Sequence, residues 1–226
     1  MESENPIVLR ELYLIRHGQS LGNVGAVAPD APLTDREDPA LSPLGEQQAE
    51  RLGRFYAGTA FDAVYSSGLL RAVMTAASLL RAKETPQKLL IEPLLTEIGM
   101  DPDYSCRAPG SLLQAWPLLE LPPHPLICSN AFHDEQAAFA RAKALFEKLF
   151  AQYRNGERVA LVSHAGFLTF LIFELIGYHD HQPFDFRLTN TGVTRVVFYE
   201  PGTNPYGDMV FECVNDCSHL AGMITD

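Results

Sequence analysis

The sequence predicts an α/β fold, a three-layer α/β/α sandwich around a mostly parallel central sheet. Short apolar runs alternate along the chain with amphipathic helical stretches, the pattern of a layered sheet with crossover helices. Several of those runs end abruptly in polar residues, as buried strands do on reaching a loop. No internal repeat, low-complexity segment or interdomain linker interrupts the series. A chain of 226 residues, 46% of them hydrophobic, can bury one good core, so a single domain over 1–226 is expected.

Leu9 to Ile15 reads as a buried strand running into Arg16-His17-Gly18. Residues 24–40 hold Pro29, Pro32 and Pro39 among acids and are expected to form a loop. Ser42-Pro43 gives an N-cap followed by proline at the first helical position. That helix should run to about Ala57, with Ala49, Leu52, Phe55 and Tyr56 inward. Phe61 to Ser66 is the second strand, and Ser67 is placed to cap a helix with the stripe Leu69, Val73, Ala76 and Leu80. A third strand is expected over Lys88 to Leu95. Prolines from Pro102 to Pro125 break the insert 98–130, leaving room for a short helix within Gly110 to Leu119. Phe139, Ala142, Phe146, Leu149 and Tyr153 share one face of a helix from about Phe132 to Tyr153, which Asn155-Gly156 ends. Arg158 to Ser163 is a strand ending at His164, and Gly166 to Ile176 the helix after it. Phe184 to Leu188, Val193 to Tyr199 and Met209 to Val214 read as late strands.

The net charge of −11 argues against nucleic acid, which needs a basic surface to displace counterions. A small anionic ligand stays compatible with it, since a few arginines can make one cleft positive. The N-terminal stretch has no basic region leading into an apolar run, and Gly166 to Gly177 is too short to span a bilayer and contains Glu174. No membrane partner is expected, and a cytoplasmic location follows by default. Cys106, Cys128, Cys213 and Cys217 are then expected as reduced thiols. The C-x3-C pair lacks further ligands at metal spacing, and His179-Asp180-His181 reads as loop polarity.

Ligands of open α/β sheets gather at the carboxyl ends of the strands. The loops after Ile15, Tyr65, Leu95 and Val162 should therefore adjoin, and they carry Arg16-His17-Gly18, Arg71, Glu97 and His164. Two histidines, two arginines and a carboxylate form the set that phosphoryl transfer through histidine requires. Taken singly, each has a plainer reading: Arg71 off the apolar stripe as a solvated side chain, His164 as a satisfied core histidine, Glu97 as one loop acid among others, with Asp101 or Asp103 as alternative holders of the acid role.

The ordered pieces RHGQSLGN (16–23), LSPLG (41–45), YSSGLLRAVMTA (65–76), LTEIG (95–99), LVSHAG (161–166) and NDCSHL (215–220) resemble the histidine phosphatase superfamily, with its phosphoglycerate mutase-like fold, along essentially the whole chain. The resemblance implies that His17 is the phosphorylated residue and that Arg16, Asn23, Arg71 and Gly18 bind the phosphoryl group. It implies His164 as a further catalytic donor when protonated, Glu97 as general acid and base, and a small phosphorylated substrate. No metal or other cofactor is implied, because guanidinium forks can supply the charge and the bidentate geometry. A neutral imidazole attacks phosphorus when its other nitrogen is held by an acceptor, and glycine at position 18 lets the backbone come close. Two departures favour hydrolysis over mutase-type transfer: Arg107 is the only base in GMDPDYSCRAPGS after Glu97, and the second histidine stands in His-Ala-Gly. His164 is not followed by aspartate, which puts the acid at Glu97. The alternative from another class is an inactive binder of phosphorylated ligands. The loop 24–40 and the insert 98–130 are expected to overhang the site and set its specificity.

Overall fold

The computed structural model describes residues 5–101, 103–123, 135–179 and 185–226. In chain order its elements are β1 (Val8–Arg16), α1 (Leu33–Glu37), α2 (Pro43–Phe55), β2 (Ala63–Ser66), α3 (Leu70–Arg81), β3 (Leu89–Ile91), α4 (Pro109–Ala115), β4 (Leu119–Glu120), α5 (Glu135–Gln152), β5 (Glu157–Ser163), α6 (Ala165–Ile176), β6 (Val193–Tyr199) and β7 (Met209–Asp216). They build one seven-stranded sheet in the order β4-β3-β2-β5-β1-β6-β7. The first five strands are parallel, while β6 runs antiparallel to β1 and β7 antiparallel to β6.

Strand periodicity sends alternate residues to opposite faces, and here both faces are covered. Leu12 and Leu14 of β1, with Val159 and Leu161 of β5, pack against α5 and α6 through Leu145, Leu149, Phe167 and Leu171. Tyr13 and Ile15, with Ala160 and Val162, pack against α2 and α3 through Leu52, Val73, Ala76 and Leu80. Leu12–Ile15 of β1 and Val159–Val162 of β5 are apolar without alternation because neither face of the sheet meets water there.

Several boundaries differ from the sequence expectation, each for a local reason. Residues 24–40 are not all loop: α1 follows Pro32, whose carbonyl accepts from Asp35 and Arg36. The third strand stops at Ile91, because Pro93 has no N–H for the ladder; Pro93–Leu95 turns into a 3-10 helix instead. Ser67 does not sit at the cap of α3, which starts at Leu70; its hydroxyl accepts from Leu69 N–H, and the Leu70 N–H goes to Asp38. Phe55 is 53% exposed rather than inward. Residues 185–188 form no strand. The carbonyls of Arg187 and Leu188 are instead taken by the side chains of Asn215 and Arg16. Cys106 is disulfide-bonded, against the expectation of reduced thiols, while Cys213 and Cys217 are free. Phe132 to Asp134, Phe184 and Cys128 lie outside the described residues, as do positions 124–130 of the insert.

The turn after β1 is pressed against the start of α2. Ser42 caps α2 by accepting from Gly45 N–H at 3.1 Å, with Pro43 in the first turn as expected. A Cβ on Gly18 would stand 2.6 Å from the Gly45 carbonyl oxygen, and one on Gly45 only 1.9 Å from that of Gln19. Gly45→Ala should therefore destabilise the protein by about 1–3 kcal/mol or more through overpacking against backbone. Gly58→Ala, where a Cβ meets nothing within 4 Å, should stay within about 0.5 kcal/mol. Urea denaturation of the two variants checks this.

Candidate active site

The carboxyl ends of β1, β2 and β5 deliver Arg16-His17, Ser66-Ser67 and His164 to one edge of the sheet. Because β6 is antiparallel, its start joins them there, with Ile15 opposite Val193. The rings of His17 and His164 lie 5.0 Å apart, centroid to centroid. Arg16, His17, Asn23, Arg71 and Glu97 line one cleft of about 210 Å³, with Arg36 and Glu37 of α1 at its wall.

His17 is buried, and its Nδ1 lies 2.6 Å from the carbonyl of Gly18. A carbonyl only accepts, so Nδ1 carries the proton and Nε2 keeps its lone pair. Burial, then the charges of Arg71 and Arg16, holds this imidazole well below its usual pKa of 6.5, against the smaller opposing effect of the Gly18 hydrogen bond. The ring is therefore neutral at neutral pH. His164 is depressed in the same way, by burial first and then by Arg71, His17, Arg141 and Arg16. The expectation makes it a donor when protonated; burial and the neighbouring arginines hold it neutral. A neutral ring still donates from one nitrogen. The Ser67 hydroxyl oxygen accepts from Leu69 N–H at 3.1 Å and lies 2.8 Å from His164 Nε2. In the tautomer that accepts from Ser67, Nδ1 of His164 is the N–H, and among the described residues that atom has no hydrogen-bond partner.

Arg16 and Arg71 are both buried side chains at the cleft, so the solvated reading of Arg71 fails. Arg16 is held by donating to Leu188 O, and Arg71 by donating to Glu37 O at 3.0 Å. Asn23 accepts from both the backbone N–H and the hydroxyl of Ser20 through Oδ1. Its carbonyl side is thereby anchored in protein, and its NH₂ is the group left to donate. Gly18 differs from the expectation of a phosphate contact: its N–H donates to Thr75 Oγ1 at 3.0 Å. The missing side chain serves the approach to Gly45 instead. Glu97 caps α6, its Oε1 accepting from Phe167 N–H at 3.0 Å and from Ile98 N–H at 2.9 Å, while among the described residues Oε2 accepts only from Gly166 N–H at 3.4 Å. Gly166 makes this possible, since a Cβ there would fall 2.8 Å from Glu97 Oε1. Asp101 and Asp103 do not line the cleft.

Four residues of this arrangement escaped the sequence reading. Ser67 looked like a helix cap and instead faces His164. Asn190 is fully buried, donates from Nδ2 to His17 O at 3.1 Å and lies 3.5 Å from Asn23 Oδ1; the tail holds it through Thr225. It sits in an irregular segment where only the three-dimensional turn into β6 brings it to the site. Arg141 is buried on α5 with its guanidinium 3.8 Å over the Phe167 ring. Asp38 is buried behind Arg71, 3.7 Å from its Nη1. The two acids and the proline around Asp38 in sequence gave no sign of burial.

Residues 12–205 match the family model of the histidine phosphatase superfamily (branch 1). The chain is 28% identical to the adenosylcobalamin/alpha-ribazole phosphatase of Escherichia coli, covering 78% of this chain and 84% of that one. It is 30% identical to a broad-specificity phosphatase of Saccharomyces cerevisiae, covering 82% and 78%. The fold superposes on the crystal structure of a phosphoglycerate mutase from Bacillus anthracis with a TM-score of 0.63, at 22% identity over 99% of both chains. The mostly parallel sheet is thus of the phosphoglycerate mutase-like kind.

Depressed histidines have a consequence for stability. An unfolded chain takes up protons at its histidines near about pH 6.5; the folded protein does not at His17 and His164. The unfolded state binds more protons below that point, so stability falls as pH drops from 7 to 5.5. Nuclear magnetic resonance of the ring nitrogens should show both rings neutral at pH 6, His17 and His164 each protonated at Nδ1. In Ser67→Ala the His164 signal should become a mixture of tautomers while His17 is unaltered.

Proposed function

Because this chain belongs to the histidine phosphatase superfamily, we propose that it hydrolyses a phosphomonoester through a phosphohistidine at Nε2 of His17, with Glu97 as proton donor and acceptor. One observation carries the reading: a buried imidazole, neutral and tethered at Nδ1 to the Gly18 carbonyl, lines a cleft with two buried arginines. That is an activated nitrogen nucleophile beside a preorganised receptor for phosphoryl oxygens.

The reaction divides into two displacements. In the first, the Nε2 lone pair of His17 attacks phosphorus and the bond to the ester oxygen breaks. Protonated Glu97 gives its proton to that departing oxygen, a contribution of about 10²–10⁴-fold in rate. Positive charge developing on the imidazole is stabilised by the Nδ1–H bond to Gly18 O. Arg16, Arg71, the Asn23 amide and Nδ1–H of His164 receive the phosphoryl oxygens. In the second step Glu97, now a carboxylate, takes a proton from water as the oxygen attacks phosphorus. The P–N bond breaks, inorganic phosphate leaves, and His17 is neutral again with Glu97 protonated. Oε2 of Glu97 is the oxygen for this work, since Oε1 is occupied by two backbone amides. The scheme calls on no metal ion, the guanidinium groups serving as the cations.

The reading favours a small phosphorylated substrate and hydrolysis over transfer within it. The cleft of about 210 Å³ is below the range of about 300–1,000 Å³ that holds drug-sized ligands. Arg107, the only base in the segment after Glu97 that a mutase would use for a second anionic group, is held by Asp35 and Asp38 instead.

Turnover of p-nitrophenyl phosphate with a trapped phosphohistidine tests the proposal. His17→Ala should abolish both while the folded spectrum is retained; residual turnover at the wild-type rate would take His17 out of the mechanism. Glu97→Gln should slow alkyl phosphates at least tenfold more than p-nitrophenyl phosphate, whose leaving group needs little protonation. Equal slowing across leaving groups would move the acid elsewhere.

A further inference from the structure

Asp38 is a fully buried carboxylate, and such a group persists only when partners satisfy both of its oxygens. Its two oxygens face different parts of the protein. Oδ1 accepts from Leu70 N–H at 2.7 Å and lies 3.7 Å from Arg71 Nη1, both on the first turn of α3. Oδ2 accepts from the Tyr104 hydroxyl at 3.0 Å and lies 3.3 Å from Arg107 Nε, both on the insert. The Asp38 backbone carbonyl adds a bond from Arg107 Nη2 at 2.7 Å. Tyr104 and Arg107 do not line the cleft, whereas Arg71 does.

We infer that Asp38 is the positioning residue of Arg71, and that through Tyr104 and Arg107 it makes the placement of that arginine depend on the insert. The inference rests on the reading of Arg71 as a phosphoryl-binding residue. Arg71 Nη1 is held by Glu37 O and Asp38 together, so the guanidinium plane is set from behind. Among the described residues no hydrogen bond holds its Nη2. Burial opposes the charge of Arg71, and Asp38 is the foremost group sustaining it. A segment that looks like a specificity loop in sequence thus aims a phosphoryl receptor, and the insert braces the same carboxylate from its far side.

A purely structural role for Asp38, capping α3 and anchoring the insert, makes a different prediction for ligand affinity. In Asp38→Asn a carbonyl oxygen can still accept from Leu70 N–H, while the charge facing Arg71 is lost. Inhibition by inorganic phosphate, measured against p-nitrophenyl phosphate well below Tm, should weaken tenfold or more. On an Arg71→Lys background the same change should have at most a twofold further effect, because both act at one group. Tyr104→Phe, which removes one donor to Oδ2 and leaves the carboxylate charged, should weaken phosphate inhibition about threefold. Phosphate inhibition within twofold of wild type in D38N would overturn the inference, however far Tm falls. An unchanged value in Y104F would overturn the link to the insert, and if D38N is not recovered folded, Y104F alone decides. A wild-type protein that neither turns over the ester nor is inhibited by phosphate would instead refute the proposed function.

Discussion

The close approach of Gly18 to Gly45 decides where the nucleophile's turn can run, because a Cβ on either residue would meet a backbone oxygen. That contact places Gln19 against the capped start of α2, where its backbone oxygen accepts from Ser42 N–H and its N–H donates to Gln48. The turn cannot relax away from α2 without losing all of these. Its carbonyl at Gly18 is consequently aimed at Nδ1 of His17, and a choice of tautomer follows from the path of the main chain. Ser67, just after β2, meets His164 at its Nε2. Neither histidine needs an acidic partner to be oriented.

Around this turn the protein keeps charge where water cannot reach it. Among the described residues, buried Arg16 and Arg71 each have a single backbone carbonyl as hydrogen-bond acceptor, Leu188 and Glu37 respectively. Burial lowers the pKa of both, and acids resist the shift, Asp38 and Glu97 at Arg71, Glu97 and Asp226 at Arg16. Both imidazoles respond by staying neutral. Two buried guanidinium groups at one cleft suit a phosphoryl dianion, whose charge would offset the cost of their burial. Glu97 shares that cleft, with one of its oxygens held by the first amides of α6 at a helix N-terminus.

Much of this was legible in the sequence because it depends on local periodicity and on topology. Alternation of apolar residues along β1 and β5 signals strands covered on both faces, and parallel topology then requires Arg16-His17, Arg71, Glu97 and His164 to converge. What was not legible depends on contacts between distant segments. Gly18 reads as a phosphate contact until α2 is seen to press on it. Asp38 sits among acids that look solvated, and its burial follows only from Tyr104 and Arg107 folding over it. Asn190 has no motif at all; an antiparallel strand, indistinguishable in sequence from a parallel one, brings it beneath His17. Residues 185–188 have strand-like composition, but β6 and β7 already fill that side of the sheet.

The position of β1 also bears on how the protein comes to its native state. Arg16 pairs across the sheet with Ser163, and Ile15 with Val193, so the strand that carries the nucleophile is flanked on both sides by chain about 150 residues or more away. Closing loops of that length is entropically demanding and slow. Until both neighbours arrive, the turn after β1 has no Ser163 carbonyl for its His17 amide and no Thr191 amide for its own carbonyls. The centre is thus complete only when both neighbouring strands are in place. A partly folded chain holds its nucleophile without the frame that activates it, and a reactive imidazole is not displayed during folding.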